Sequence, residues 1–253
     1  TNTSSWLAPF GASNITSSSN TWNNTNNQQF GGSVLWATKR SYWYFKTNFL
    51  RDSYDNSNGN VDGYINALWD NNGVTSANNA SMNNGFMKVG RGTLTSLNSC
   101  FATVDIIAHE YTHAVTQNAA DLDYSGESGA LNESFSDIFG EMTENHTLGS
   151  NDWLLGDEKS GGALRNMANP NDTLTGCTFG TCGMQPDTYG GTFWAPTGAS
   201  QPDEGGVHTN SGVQNFWFYL LAAGGSGTND NGDIYSVPVI YTNQQDMAAW
   251  IAY

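Results

Sequence analysis

The chain is poor in positive charge. Its 253 residues include 8 lysines and arginines against 23 aspartates and glutamates, which gives a formal net charge of −15. A surface with this excess of negative charge repels phosphate backbones, so nucleic acid is excluded as an expected partner. The sequence also lacks an apolar run of the roughly 18–20 residues that cross a bilayer, which excludes a membrane-spanning segment.

Cysteine is scarce too, with 3 residues, too few for a disulfide scaffold. Cys177 and Cys182 flank a short loop rich in glycine and threonine and could form a disulfide bond, or both could be free thiols. Cys100, the third cysteine, is then either a free thiol or forms a disulfide bond with a partner outside the chain. The acidic composition, the shortage of lysine and a disulfide between Cys177 and Cys182 favour a secreted, extracellular protein.

The first half of the chain is rich in strand signals. Residues 1–30, dominated by Asn, Ser and Thr, are expected to be loop or irregular strand. Residues 33–50 are rich in aromatics and long enough for a helix. Between Val61 and Val89, short apolar stretches alternate with Asn-Gly pairs, which predicts antiparallel strands joined by hairpins.

The second half has helical periodicity. Apolar residues recur every three to four positions across 103–119 and 130–146, which predicts two buried helices. Residues 147–206 are expected to be mostly loop, with a short helix around 162–167. Residues 211–223 are predicted to form a third, very apolar helix.

This division predicts the fold class. A strand-rich half followed by a helix-rich half is typical of α+β proteins. We place the two lobes at residues 1–120 and 121–253, so that the first buried helix closes the first lobe. The polar residues of chemical interest fall at the junction, where an active-site cleft is expected.

The clearest functional signal is the segment His109-Glu110-Tyr111-Thr112-His113 in the first buried helix. Two histidines four residues apart lie on the same face of a helix, one turn apart, and can bind one tetrahedral zinc ion. Glu110 projects beside that ion, where a general base acting on bound water belongs.

A third zinc ligand is expected from the second buried helix, where Glu133 is the candidate. The fourth coordination position then stays open for water, as catalytic zinc sites require. Asp105, one turn before His109, is within reach of that ring. Asp137, one turn after Glu133, is expected to orient His113. An ordinary salt-bridged helix pair with incidental histidines is the simpler alternative.

His208 is a candidate oxyanion donor. It precedes the third helix and follows Asp203 by five residues. An aspartate so placed can hold a histidine in one tautomer and raise its pKa, which makes a cationic hydrogen-bond donor. A lone histidine of this kind is usually a surface residue, but beside a zinc-binding helix pair the catalytic role is favoured.

Five separated segments together resemble the thermolysin family of zinc endopeptidases, which are secreted mainly by bacteria. They are NALW at 66–69, HEYTHAVT at 109–116, GALNESFSDIFGE at 129–141, GALR at 162–165 and GGVHTNSGV at 205–213. The metzincin class is excluded because the helix does not continue to a third histidine on the pattern HExxHxxGxxH. The resemblance implies the zincin two-lobe architecture, with a β-rich N-terminal lobe, a mainly α-helical C-terminal lobe and the active-site cleft between them.

The resemblance also implies catalytic roles for individual residues. The implied zinc ligands are His109, His113 and Glu133, and the implied general base is Glu110. Tyr124 and His208 are implied to bind the tetrahedral intermediate. Asp137 and Asp203 are implied to orient histidines. In the mechanism so implied, Glu110 deprotonates the zinc-bound water, which attacks the peptide carbonyl, and then passes the proton to the leaving amine.

Substrate contacts are implied as well. Asn66, the Ala67 backbone and Arg165 resemble the groups that hold the peptide backbone. Ile106 and Leu164 fall at positions of an apolar pocket beside the zinc. The expected partners are therefore proteins or peptides, cleaved before bulky apolar residues, and the enzyme is expected to be a monomer.

An acidic cluster near the two buried helices is a candidate calcium site, because hard carboxylate oxygens suit that ion. A solvated acidic face is the alternative. The family binds calcium at this place. Leu154 stands where larger members have a further carboxylate, and in this the chain resembles the one-calcium pseudomonad elastase. The implied ligands are Asp105, Glu141, Glu144, Asp152 and the Leu154 carbonyl, with Asp157 as a further candidate.

Two features depart from the family pattern. Arg91 stands between Gly90 and Gly92, where the family usually has an acidic residue, and so changes the charge at the cleft edge. The chain also ends at Tyr253, soon after the third helix, so the second lobe is expected to be truncated. Truncation would expose the apolar residues 216–221.

Two other functions are compatible with the sequence. A catalytically weak or inactive zincin could use the aromatic residues of 36–45 to bind a polymer or a cell surface. A different zinc hydrolase, such as an aminopeptidase, could use the same helix pair, although no additional acidic motif for a free amine is present. The intact set of ligands and base favours a secreted zinc endopeptidase.

Overall fold

The computed structural model describes residues 13–16, 22–23, 25–71, 74–92, 100–150, 152–174, 184–198 and 200–253. The predicted disulfide between Cys177 and Cys182 lies outside these ranges. Cys100 is buried and forms no disulfide bond with the described residues.

The first helix, α1, spans Asn26–Phe49 and begins seven residues before the predicted start at residue 33. Thr25 caps it, because its side-chain oxygen accepts a hydrogen bond from the Gln28 backbone at 3.1 Å. The expectation of loop for residues 26–30 is therefore wrong. One face of α1 is buried at three- and four-residue spacings, through Phe30, Val34, Ala37, Ser41, Tyr44, Phe45 and Phe49.

The strands of the first half form a small sheet and a hairpin. They are β1 (Asp62–Ile65), β2 (Trp69–Asn71), β3 (Val74–Ser76), β4 (Ala80–Asn83) and β5 (Phe86–Val89). The sheet has the order β1-β5-β4, and β2 and β3 pair separately as an antiparallel hairpin.

The hairpin prediction is correct for β4 and β5, which are antiparallel. Asn84 and Gly85 join them with φ of 44° and 81°, the left-handed conformation that Asn-Gly turns favour. The prediction is wrong for β1, which pairs with β5 in parallel. Parallel pairing needs a crossover connection, which local turn signals do not reveal.

The two predicted buried helices are present as α2 (Val104–Ala119) and α3 (Gly126–Leu148). The second is longer than predicted and begins at Gly126. The helices pack closely at Gly140, where a Cβ atom would lie 2.8 Å from the Asp105 carbonyl oxygen. Glycine at this position therefore sets the distance between the helices that carry the candidate zinc ligands.

The stretch after α3 contains two short antiparallel strands, β6 (Leu154–Leu155) and β7 (Arg165–Asn166). The predicted helix around 162–167 is therefore wrong. Backbone hydrogen bonds from Leu164 to Leu155 and from Met167 to Trp153 extend the pairing. This pairing turns Arg165 towards α3 and the centre of the molecule, where it is buried.

The third helix, α4, spans Pro202–Ala223, but Asp203–Gly206 have positive φ and interrupt it. Phe216 and Phe218 are buried, whereas Trp217 is 44% exposed. The apolar segment 216–221, expected to be exposed, is therefore exposed only in part. A hairpin of β8 (Gly225–Thr228) and β9 (Ile234–Val237) follows, and α5 (Gln244–Ala252) packs against α4.

The molecule is an α+β protein with a strand-containing first part and a helical second part, as predicted. Helix α3 packs against both α2 and α4, so groups from all three helices meet beside it. No helix in the described ranges is long and apolar enough to cross a membrane.

Candidate active site

Three predicted zinc ligands converge between α2 and α3. His109 and His113 project from α2, and their Nε2 atoms lie 3.0 Å apart. Glu133 projects from α3, with its two carboxylate oxygens 3.5 Å from His109 Nε2 and 3.3 Å from His113 Nε2. One candidate ligand atom from each residue lies within 4.8 Å of the others.

The hydrogen bonds of the two rings direct their lone pairs towards each other. His109 Nδ1 lies 2.8 Å from Asp137 Oδ1, and His113 Nδ1 lies 2.7 Å from Asn132 Oδ1. Both partners are acceptors, so each Nδ1 carries the hydrogen and each Nε2 offers a lone pair. Two lone pairs facing each other beside a carboxylate are stabilised by a cation.

The carboxylate of Glu133 supports the same conclusion. Its Oε2 atom is buried without a hydrogen-bond partner among the described residues. Burial acts to raise the pKa of Glu133, but His208, His113 and His109 outweigh it and hold that pKa well below its usual range. A buried, ionised carboxylate facing two imidazoles is a donor set that fits zinc.

The ring partners differ from those predicted. Asp137 binds His109 rather than His113, and Asn132 takes the position next to His113. Asp105 does not reach the His109 ring, because its carboxylate accepts hydrogen bonds from the backbones of Ile106 and Gly156. The Asp105 prediction relied on spacing within α2, whereas the Asp137 prediction crossed correctly from α3 to α2 but assigned the wrong histidine.

Asp137 is also the centre of a buried polar network. Arg165 donates to both of its oxygens, from Nε and Nη2, each at 2.7 Å. Asn215 Nδ2 donates to Oδ2 at 2.8 Å and Ser134 donates to Asn215. Burial raises the pKa of Asp137, but Arg165 and His109 lower it to about 2, so the carboxylate is ionised.

Two residues that contact the candidate site, Asn132 and Asn215, were not predicted from the sequence. Asn132 directly precedes Glu133, so its proximity to His113 follows once both helices are placed. Asn215 lies within the apolar segment of α4 and is fully buried. A buried polar residue in such a segment is the signal that could have identified it.

Glu110 lies between the two histidines in sequence and is 8% exposed. Burial raises its pKa, and the opposing effect of His109 and His113 is smaller. A carboxylate with a raised pKa beside a candidate metal centre is suited to take and return a proton.

Tyr124 and His208 both lie close to Glu133. The Tyr124 hydroxyl donates to Glu133 Oε1 and lies 3.2 Å from His208 Nε2. His208 Nδ1 lies 2.5 Å from Asp203 Oδ1, as the spacing predicted. Burial lowers the pKa of His208, but Glu133 and Asp203 raise it above its ordinary value.

The predicted backbone-binding groups differ in burial and in their contacts. Arg165 is buried against Asp137, with Nη2 3.8 Å from Glu133 Oε2. Asn66 is exposed at the end of β1, and the Ala67 amide donates to the Val89 carbonyl at 3.1 Å. Arg91, half-buried, donates from Nε to Asn66 Oδ1 at 2.8 Å.

Ile106 and Leu164 lie on either side of Gly156. A Cβ atom at Gly156 would be 3.0 Å from Ile106 Cδ1 and 3.4 Å from Leu164 Cγ. The two predicted pocket residues therefore both lie close to Gly156, where a methyl group would already be tightly packed against Ile106.

The predicted calcium-site acids form two overlapping groups. One contains Glu141, Glu144 and Asp152, and the other contains Asp105, Glu144 and Glu158. Glu158 was not predicted, since Asp157 was the acid considered in this loop. Burial, followed by repulsion from Glu158, raises the pKa of Asp105 to about 7. Burial and Asp105 raise the pKa of Glu141 well above its usual range.

Known proteins resemble the chain along nearly its whole length. Residues 2–117 match the family model of the thermolysin metallopeptidase catalytic domain, and residues 120–251 match that of its alpha-helical domain. Bacillolysin from Brevibacillus brevis is 39% identical over 201 residues, which cover 77% of this chain and 33% of the relative. Thermolysin from Bacillus sp. (strain EA1) is 34% identical over 222 residues, covering 81% and 36%.

A solved structure is similar as well. It is the precursor of protealysin, a metalloproteinase from Serratia proteamaculans, with a TM-score of 0.64 and 27% identity, covering 82% of this chain and 62% of that one. The chain spans about a third of the length of the two curated relatives it matches above. These matches and the geometry of α2 and α3 agree, and the chain belongs to the thermolysin metallopeptidase family.

Proposed function

We propose that this chain is the catalytic part of a secreted zinc endopeptidase. The observation that carries the proposal is the convergence of the His109 and His113 Nε2 atoms on the Glu133 carboxylate, beside buried Glu110. His109, His113 and Glu133 would hold the zinc ion. When bound, zinc supplies a Lewis acid that acidifies water and polarises a peptide carbonyl.

Glu110 is the proposed general base. Its raised pKa makes its carboxylate a better proton acceptor than an exposed glutamate. It takes a proton from the attacking water and delivers it to the nitrogen of the leaving amine. Burial keeps bulk water from exchanging that proton.

Tyr124 and His208 are the proposed donors to the oxyanion that forms at the substrate carbonyl. Their polar ends lie 3.2 Å apart, so they can bind the same oxygen. The raised pKa of His208 favours its protonated form, with Asp203 holding Nδ1 and Nε2 directed at the substrate.

Asn66, the Ala67 backbone and Arg165 are proposed to hold the substrate backbone. Arg165 is fixed by Asp137 and so presents a rigid guanidinium beside Glu133. Ile106 and Leu164, which both lie close to Gly156, are proposed to line the pocket for a bulky apolar residue following the scissile bond.

The acidic cluster is proposed as a structural calcium site. Asp105, Glu141, Glu144, Asp152 and the Leu154 carbonyl are the proposed ligands, with Glu158 added because it lies beside Asp105 and Glu144. The Oε1 atoms of Glu141 and Glu144 are buried without hydrogen-bond partners among the described residues. Buried carboxylates that repel each other are stabilised by a divalent cation. We propose that a single calcium ion binds to this cluster.

The experiment is a comparison of wild type with Glu110→Gln on peptides blocked at the N-terminus. Wild type should cleave them and lose activity in phenanthroline, whereas Glu110→Gln should retain one zinc ion without cleavage. Glu127→Gln, at an exposed position, is the matched control and should remain active. Cleavage by Glu110→Gln would refute the mechanism. If wild type cleaves only the same peptides with a free N-terminus, the enzyme is an aminopeptidase.

A further inference from the structure

Gln185 contacts the backbone of His208 from outside helix α4. Its Nε2 atom donates to the His208 carbonyl oxygen at 2.7 Å and to Ser211 Oγ at 3.0 Å. The His208 carbonyl can only accept, so the NH2 group of the amide must face it. Gln185 is 3% exposed, so its hydrogen bond to Ser211 is buried and its hydrogen bond to His208 is partly buried.

His208 needs such support because the segment before it is irregular. Asp203, Glu204, Gly205 and Gly206 all have positive φ, between 50° and 89°. These residues cannot form the regular ladder of an α-helix, so they do not fix the first turn of α4 as a helix would. The position of His208 depends instead on side chains.

Three side chains hydrogen-bond to the backbone of His208: Asp203, Gln185 and Ser211, whose Oγ donates to the His208 carbonyl at 3.0 Å. Asp203 binds the backbone N–H through Oδ2 at 2.9 Å and ring Nδ1 through Oδ1 at 2.5 Å. Gln185 binds the carbonyl at the other end of the same residue. Asp203 belongs to the irregular segment itself, whereas Gln185 does not.

Gln185 is anchored to a separate part of the molecule. Its backbone N–H donates to the Pro170 carbonyl at 2.8 Å, in the loop that follows β7. It also approaches α4 closely at Gly212, where a Cβ atom would lie 2.5 Å from Gln185 Cβ. Any larger residue at 212 would displace Gln185 from α4.

We propose that Gln185 is a positioning residue for catalysis, which fixes the His208 backbone so that His208 Nε2 stays beside Tyr124 where the oxyanion forms. The inference rests on the proposed peptidase function. Because Gln185 does not contact the substrate, its loss lowers the rate of the chemical step without weakening substrate binding.

The test is a double-mutant cycle with Gln185→Met and His208→Ala, measured as kcat and KM on a blocked peptide. Methionine keeps the unbranched length of glutamine but removes the donor. Gln185→Met should lower kcat by about tenfold and leave KM within about twofold. In the His208→Ala background the same change should alter kcat by less than about twofold, because the residue it positions is gone.

The matched control is Gln245→Met, which breaks a hydrogen bond with Asn145 far along the chain and should leave kcat and KM unchanged. If Gln185→Met does not fold, Gln185→Leu gives the same comparison. Equal losses in both backgrounds, or a loss confined to KM, would overturn the inference while leaving the peptidase function standing. Absence of hydrolysis by wild type would overturn both.

Discussion

The carboxylate of Asp137 holds two functional side chains at once. Its Oδ1 lies 2.8 Å from His109 Nδ1, and its Oδ2 accepts from Arg165 Nε at 2.7 Å. It thereby fixes the tautomer of a proposed zinc ligand and the position of a proposed substrate-binding cation. If His109 binds zinc and Arg165 binds the substrate as proposed, this one buried carboxylate would couple metal binding to substrate binding.

The substitution Asp137→Asn should weaken zinc binding and destabilise the fold. It removes the charge that His109 and Arg165 share, and Arg165 is left as a buried cation without its ion pair. We expect zinc affinity to fall about 10–100-fold and the free energy of unfolding to fall by about 3–5 kcal/mol. Zinc competition titration and urea unfolding measure the two effects.

The control for that variant is Asp233→Asn, an exposed carboxylate directly before β9. It should change neither quantity. An Asp137→Asn protein with wild-type zinc affinity would contradict the role assigned to this carboxylate.

The zinc-ligand set was predictable from sequence because it depends on helical spacing. His109, His113 and Glu133 are fixed once α2 and α3 are helices that pack together. The ring partners were not predictable, because Asp137 and Asn132 reach the histidines across the interface between helices. That contact depends on the relative placement of α2 and α3, which Gly140 sets.

The strand pairing could likewise be predicted only where the signal is local. The β4–β5 hairpin follows from Asn84-Gly85, a local signal. The parallel pairing of β1 with β5 joins segments more than 20 residues apart, as does the contact between Gln185 and His208. Neither leaves a periodic pattern in the sequence.

Calcium should abolish a fall in the free energy of unfolding that occurs with rising pH in the calcium-free protein. In the calcium-free protein, folding raises the pKa of Asp105 to about 7. The folded state then binds more protons than the unfolded state, in which an aspartate has a pKa of about 3.9. The free energy of unfolding should therefore fall as pH rises from about 4 to about 7. Bound calcium favours the ionised carboxylates and should abolish that fall.

Thermal unfolding followed across this pH range, with and without calcium and with zinc supplied throughout, measures the effect. The expected result is a midpoint that falls with pH only in the calcium-free samples. Identical pH profiles with and without calcium would mean that the acidic cluster is not a calcium site.

Arg91 should contribute to substrate binding through Asn66. Its guanidinium donates to Asn66 Oδ1 at 2.8 Å and to Asn27 Oδ1 at 2.6 Å, which restricts the Asn66 amide. Arg91→Ala should raise KM several-fold and leave kcat nearly unchanged, because a ground-state contact is weakened. Lys39→Ala, an exposed cation on α1, serves as control. A fall in kcat at constant KM would refute this assignment.

The primed-side preference should depend on the apolar side chains of Ile106 and Leu164. A blocked peptide with a Gly-Leu bond should be cleaved at least about tenfold faster than its Gly-Glu analogue, because the pocket between Ile106 and Leu164 is apolar. Leu164→Ala should enlarge that pocket and shift the preference from leucine towards phenylalanine. Equal rates on the two peptides would show that this pocket does not select the substrate.

The zinc centre itself can be tested most directly by anomalous diffraction from crystals of the zinc-reconstituted protein. The account predicts one zinc peak at about 2.0–2.2 Å from His109 Nε2, His113 Nε2 and a Glu133 oxygen, with a solvent molecule as the fourth ligand. No peak at this position, or a fourth ligand supplied by the protein, would contradict the account.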